Sequence, residues 1–260
     1  MLFKIEHVRR TGLVAILLLL ARVESNPGPS PRVSGRNDNI IFGLLKVRSA
    51  VRKVASIYAL LADQDLDVLA LTETWMREGD PAAVLPDVAP PGYTVHHIPQ
   101  RTGRGGMLAV VHRNSINIKF WKIPPTTIEF ESQFMILSTP GKSMDLISIY
   151  RPPGPVSGDF LEELADLLDQ LTTTDRCFLV CGDFNCPGSD NKTIDPRLSD
   201  VLTQYNLSQH VKHSMHEKGN ILDLILTSVA DNLVSGVSVK SAGISDHLLV
   251  TGKLSMRGEN

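Results

Sequence analysis

The chain places acids, an amide and a histidine where apolar segments end. Glu73 follows the run DVLALT, and Asp183 and Asn185 follow FLVCG. Asp246 and His247 stand just before LLVTGKL, and Asp223 lies inside ILDLIL. A strand ending at an open edge is where α/β proteins present ligand and catalytic groups, because the scaffold is rigid and the edge meets solvent. Converging carboxylates are costly to bury unpaired, so several together point to a cation. Oxygen donors with an amide favour a hard ion, magnesium (or manganese) before zinc. Taken singly, each position has an ordinary alternative. Glu73 can be a first-turn acid, Gly182-Asp183-Phe184-Asn185 a turn, Asp223 a solvent-facing strand residue, and Ser245-Asp246-His247 an exposed loop. Their recurrence in order, each beside an apolar strand, favours a site.

The elements that must position these groups follow from periodicity. Asn39 to Val47 reads as a strand, and Val51, Val54, Tyr58 and Leu61 recur at helical spacing across 50–63. Further strands are expected at 67–72, 93–98, 107–111, 116–121, 129–137, 145–150, 177–181, 221–226, 233–239 and 247–254. Phe160, Leu161, Leu164, Leu167, Leu168 and Leu171 mark a second helix, and 197–205 a short third one. Many strands and few helices, without strict alternation, predict an α/β fold of two packed sheets flanked by helices.

Composition bounds the function classes. With 260 residues, 42% hydrophobic and 21% charged, the chain is an ordinary globular sequence able to bury a large core. Cys177, Cys181 and Cys186 fall within ten residues and have no second ligand cluster, so neither a disulfide framework nor a structural zinc site is indicated. A reducing compartment, nuclear or cytoplasmic, fits best. Net charge is −2, and residues 29–260 alone carry 22 basic against 26 acidic residues. That balance weighs against tight binding of nucleic acid through bulk counterion release. Phosphate contacts must come from local patches or a bound cation.

The first 29 residues stand apart. Lys4, Arg9 and Arg10 precede the apolar run 13–21, which is too short to span a bilayer and has the shape of a signal peptide. Such a leader opens a secretory route. The run is followed by Arg22-Val23-Glu24-Ser25-Asn26-Pro27-Gly28-Pro29, which resembles the end of the viral 2A ribosome-skipping peptides, with Arg22 where that family typically has Asp. The resemblance implies chain separation between Gly28 and Pro29. A linker at 30–37, a domain at 38–254 and a tail at 255–260 complete the organisation.

Within the domain, the series LTETW, IYRPP, GDFN, LDLIL and SDH resembles the endonuclease/exonuclease/phosphatase superfamily. FGLLKVRSAVRKV, GGMLAVVHR and ISDHLLV bring it closest to the endonuclease domain of a non-LTR retrotransposon. The resemblance implies a four-layer α/β sandwich and a magnesium-dependent enzyme that nicks DNA for integration. A reverse-transcriptase region, expected in a full-length element, is not part of this sequence. Carried over by position, Glu73 ligates the metal with Asp246 as a second acid. Asp183 orients or deprotonates the attacking water, and Asn185 holds the water or the phosphate. His247 contacts the scissile phosphate with Asp223 fixing its tautomer, and Tyr150 hydrogen-bonds the phosphate. Arg151, His216 and Arg104 are expected against DNA.

Two positions depart from the family pattern. Lys46 stands where the first strand normally ends in Asn, and Met215 stands where Thr or Ser precedes His216. Both departures imply weakened catalysis. Three readings therefore remain open: a DNA-nicking enzyme, a secreted nuclease or lipid or inositol phosphodiesterase of the same fold, and a copy that binds DNA without cutting it.

Overall fold

A computed structural model describes residues 39–76, 88–98, 106–188, 193–212 and 220–256. The leader, the linker, Arg104, Met215 and His216 lie outside the described residues.

In chain order the elements begin with β1 (Asn39–Lys46), α1 (Val54–Asp63), β2 (Val68–Thr72), β3 (Tyr93–Ile98), β4 (Leu108–Arg113), β5 (Asn117–Phe120) and β6 (Glu131–Thr139). They continue with β7 (Lys142–Tyr150), α2 (Gly158–Thr172), β8 (Cys177–Asp183), α3 (Pro196–Gln204), β9 (Leu207–Gln209), β10 (Asp223–Ser228), β11 (Val234–Ser241) and β12 (Leu248–Ser255). The strands form two six-stranded mixed sheets, ordered β11-β12-β1-β2-β4-β3 and β5-β6-β7-β8-β10-β9. Among the described strands only β1–β2 and β7–β8 pair in parallel, and the other pairs are antiparallel. The expected two-sheet sandwich flanked by helices is what forms.

Two-residue alternation assigns the faces. Phe42, Leu44, Val68, Ala70 and Val110 of the first sheet join Met135, Leu146, Leu179 and Ile225 of the second in one core. The opposite face of the first sheet, with Leu45, Leu69, Leu71, Val111 and Leu249, packs against Ile57, Leu60 and Leu61 of α1. The outer face of the second sheet receives Phe160, Leu164, Leu167, Leu168 and Leu171 of α2, each worth about 1.5–3 kcal/mol when fully buried. Ser157 caps α2, accepting from Phe160 N at 3.1 Å, and Asp195 caps α3 ahead of Pro196.

Several boundaries differ from the sequence reading. The segment 50–63 begins as a 3-10 turn, Val51–Lys53, before α1, and neither segment has a side-chain cap. β8 runs past Cys181 to Asp183, β10 starts at Asp223, and β12 reaches Ser255. β9, three half-buried residues long, is too short to carry a period and was not expected. Among the described residues no helix is long and apolar enough to cross a membrane.

Candidate active site

One edge of the sandwich gathers the ends of six strands. Lys46 is the last residue of β1, Tyr150 of β7 and Asp183 of β8, while Asp223 opens β10. Glu73 follows β2 directly, and His247 directly precedes β12. Register fixes their neighbours: Lys46 lies beside Thr72, Tyr150 beside Asp183, and Asp183 beside Asp223. Glu73 reaches the edge through a positive φ of 52°, unusual for a side-chain-bearing residue.

The contacts are specific. Lys46 Nζ lies 2.9 Å from Glu73 Oε1 and 2.9 Å from Asp183 Oδ2, with Lys46 only 4% exposed. The Tyr150 hydroxyl donates to Glu73 Oε1 at 3.2 Å. His247 Nδ1 meets Asp223 Oδ2 at 2.8 Å, which leaves Nε2 as the ring's outward nitrogen. Asn185, at φ 45°, donates its backbone N–H to Asp183 Oδ1 at 3.1 Å and its amide to Arg151 O at 2.7 Å. Ser245 ties the first and last strands together, donating its hydroxyl to Lys46 O at 2.6 Å while accepting from His247 N at 3.2 Å.

These surroundings set the charges. Burial works against the Lys46 ammonium, but the charges and hydrogen bonds of Asp183 and Glu73 outweigh it and raise its pKa, so it stays cationic. Asp183 is pushed up to about 7, first by burial and then by the nearby Asp223 carboxylate, with Lys46 and His247 opposing. Burial disfavours the His247 imidazolium, yet the bond to Asp223 and its charge raise the pKa overall. Tyr150 is raised by burial and by the Glu73 and Asp183 charges, so it remains a neutral donor.

Asp183, Asn185, His247, Asp223, Tyr150, Glu73 and Lys46 are therefore brought together at one edge, and the His247–Asp223 pairing is formed as expected. Three of the expected residues have resident contacts that the sequence did not show. Arg151 is buried and not free for DNA: its terminal nitrogens donate to the carbonyls of Gly154, Pro155 and Asn185, and its guanidinium lies 5.0 Å over the Phe160 ring. It braces the loop that carries Asn185. Asp246 meets a resident cation: its Oδ2 pairs with Arg48 Nη1 at 2.8 Å. Arg48 also stands 3.8 Å from Glu73 Oε2. Lys46 is not a passive replacement for an amide, since it spans two of the carboxylates. Arg104 and His216 lie outside the described residues.

The sequence reading missed two participants. Arg48 sits in a short turn with φ 46° just after β1, and only the run KVRS hinted at it. Glu131 opens β6 opposite Tyr150 and accepts from Met107 N at 2.5 Å, with its pKa raised by burial.

The residues present do not fit a divalent ion held between Glu73 and Asp183. Lys46 fills that gap, Arg48 faces the other Glu73 oxygen, and among the described residues no three His, Cys, Asp or Glu side chains converge to hold a metal.

The endonuclease/exonuclease/phosphatase family model matches residues 42–247, a span that takes in every strand-end residue described above. The chain belongs to this family. Members of this family are generally dependent on divalent metal, which makes the lysine-filled gap a departure within it. Its fold is shared by the endonuclease domain of TRAS1, a telomere-specific non-LTR retrotransposon, at a TM-score of 0.65 and 13% identity, covering 83% of this chain and 98% of that one. The AP endonuclease LMAP from Leishmania major gives 0.65 and 13%, covering 87% and 93%. The 3′ phosphatase NExo from Neisseria, bound to a product DNA hairpin, gives 0.59 and 19%, covering 83% and 99%. No curated protein matches the chain in sequence.

Proposed function

We propose that this family member is a nuclease that nicks DNA, in the manner of the endonuclease of a non-LTR retrotransposon. The observation that carries the reading is the His247–Asp223 pair at 2.8 Å beside Asp183, whose carboxyl is poised near neutrality. In this reading Asp183 accepts the proton of the attacking water, because a base with a pKa near the working pH is neither always protonated nor too weak. Asn185 holds Asp183 through its backbone N–H. His247, oriented by Asp223, which favours its protonated form, donates from Nε2 to an oxygen of the scissile phosphate as charge builds there. Tyr150 and Arg48 add donors around the same edge. The DNA-processing structures that share the fold support DNA as the substrate.

Magnesium dependence was the expectation from the resemblance, and the lysine-filled gap argues that Lys46 lowers turnover by standing where the ion would go. Lys46→Asn is accordingly expected to nick faster in magnesium than the parent. The test is nicking of supercoiled plasmid across magnesium concentrations, run beside a panel of phospholipid and inositol phosphate substrates. Open-circular product that depends on Asp183 and His247 supports the reading. Hydrolysis of the lipid or inositol phosphates with intact plasmid would overturn it.

A further inference from the structure

The carboxylates on the catalytic edge face resident cationic partners. Among the described residues, only Asp223 Oδ1 and Asp183 Oδ2 of these acids are buried without a hydrogen bond, the latter lying against Lys46 as an ion pair. Glu73 Oε1 and Asp183 Oδ2 share Lys46, Glu73 Oε2 and Asp246 Oδ2 face Arg48, and Asp223 holds His247. Lys46 is buried, yet its ammonium is kept charged by the two acids it joins. An ammonium has three N–H donors and no acceptor. Its Nζ lies 2.9 Å from both Glu73 and Asp183 as an ion pair, so two acids face three N–H groups and donor capacity remains for a further acceptor. A divalent ion entering this gap would lie within a few ångströms of a fixed positive charge, in a setting where water screens poorly.

We propose that Lys46 is the built-in cation of this site: its ammonium holds Glu73 and Asp183 together and offsets part of their charge in place of a metal ion, and its remaining N–H binds a phosphate oxygen of the DNA backbone. Phosphate binding at this edge then needs no divalent ion. The ligand class rests on the DNA reading given above, whereas the place of Lys46 rests only on the geometry. An amide at the same position cannot do both jobs. It carries no charge, so Glu73 and Asp183 would be left facing each other and would draw in a cation. The chain therefore separates two properties that one ion would otherwise combine, holding the acids together and gripping the phosphate.

The experiment has two arms, each run on the full domain after circular dichroism has shown it folded. In the first, free manganese is titrated by electron paramagnetic resonance against the wild type, Lys46→Asn and Lys46→Arg. The expected result is manganese binding at least about tenfold tighter in Lys46→Asn than in the wild type, with Lys46→Arg as weak as the wild type. Equal binding by the wild type and Lys46→Asn overturns the proposal. In the second arm, anisotropy of a fluorescein-labelled duplex is followed in EDTA. The wild type should bind, and Lys46→Asn should lose about tenfold or more until manganese is restored. Wild-type binding that appears only with a divalent ion, or that survives Lys46→Asn in EDTA, also overturns it. Should no variant bind DNA in either buffer, the DNA reading fails, and the manganese titration still decides what fills the gap. If Lys46→Asn does not fold, saturable wild-type binding of manganese that is lost in Asp183→Asn is the overturning result, and its absence the supporting one.

Discussion

Replacing Gly182 with Ala should damage both the fold and the site, and the structure says how badly. Gly182 lies in β8 at φ 145°, directly before Asp183 and opposite Ile149 of β7. A Cβ built there would sit 1.8 Å from Ile149 O, 2.7 Å from Ile149 C and 2.8 Å from Ile149 N. All three are main-chain atoms of a buried strand, so no rotamer change relieves the overlap. Forcing a side-chain-bearing residue into this backbone region costs about 1–3 kcal/mol. Shifting a packed strand adds about 1–3 kcal/mol. The expected loss is therefore about 2–6 kcal/mol, a large share of a typical domain stability of about 5–15 kcal/mol. Any molecules that fold carry a displaced Asp183, and a shift of about 1 Å in a reacting group costs about a hundredfold in rate. Gly106→Ala is the control. Gly106, at φ 86°, carries backbone strain as well, but its Cβ would meet only the end of the Glu131 side chain, which can turn away by giving up its bond to Met107 N, and not main chain. Urea unfolding followed by circular dichroism, with plasmid nicking alongside, measures both. A Gly182→Ala loss below about 1 kcal/mol, or a larger loss in Gly106→Ala, would refute the reasoning.

Four other outcomes are expected. Asp183→Asn should lower nicking by about 10²–10⁴-fold, because the amide keeps the volume and the contact to Asn185 but cannot take a proton from water; near-parental turnover would remove Asp183 from the mechanism. Asp223→Asn should lower nicking by a comparable factor and move the alkaline limb of the pH–rate profile downward, since Asp223 is what raises the His247 pKa; an unmoved limb would show that His247 does not act as the charged group. His96 and His112 stack at 5.1 Å between ring centroids, and burial lowers both pKa values below the ordinary 6.5. Their neutral forms therefore contribute stability that is complete above about pH 6.5 and is lost as pH falls below it; the urea midpoint should drop between pH 7.5 and 5, less steeply in His112→Gln, and equal slopes would count against the pair. For the leader, cell-free translation of two reporters joined through 22–29 should give two products with the first ending at Gly28, whereas a single product unaffected by Pro29→Ala would leave the octet a turn.

Much of the fold was legible because its buried strands are runs that only a covered sheet can hide. VLALT and FLVCG lie in strands with every residue buried, and the acids that follow them stand on one edge. The His247–Asp223 pair was legible for the same reason, each lying against a strand end. What was not legible depends on the distance between the two sheets. Lys46 belongs to one sheet and Asp183 to the other, and no spacing along the chain shows that an ammonium stem spans the gap between them. Arg48 was hidden because two consecutive residues of positive φ, Arg48 and Ser49, follow β1 where Arg48 meets Glu73 and Asp246. Arg151 looked like a phosphate ligand from IYRPP alone; its burial follows from α2 placing Phe160 beneath it and from the carbonyls of 154 and 155 turning toward it.

The pairing of β1 with β12 has a consequence for how the domain sits in a longer polypeptide. Asn39 lies opposite Ser255, and the Ser255 hydroxyl donates to Asn39 Oδ1 at 2.6 Å, so the described chain enters and leaves at nearly one point. That point is the start of β1, while Lys46 marks its other end, about 23 Å away at roughly 3.3 Å per residue. Neighbouring polypeptide attached at either end is thus tethered at the rear, and the acid-lined edge faces away from it. The domain is held like a tool by its handle, with both attachment points at the end of β1 opposite Lys46.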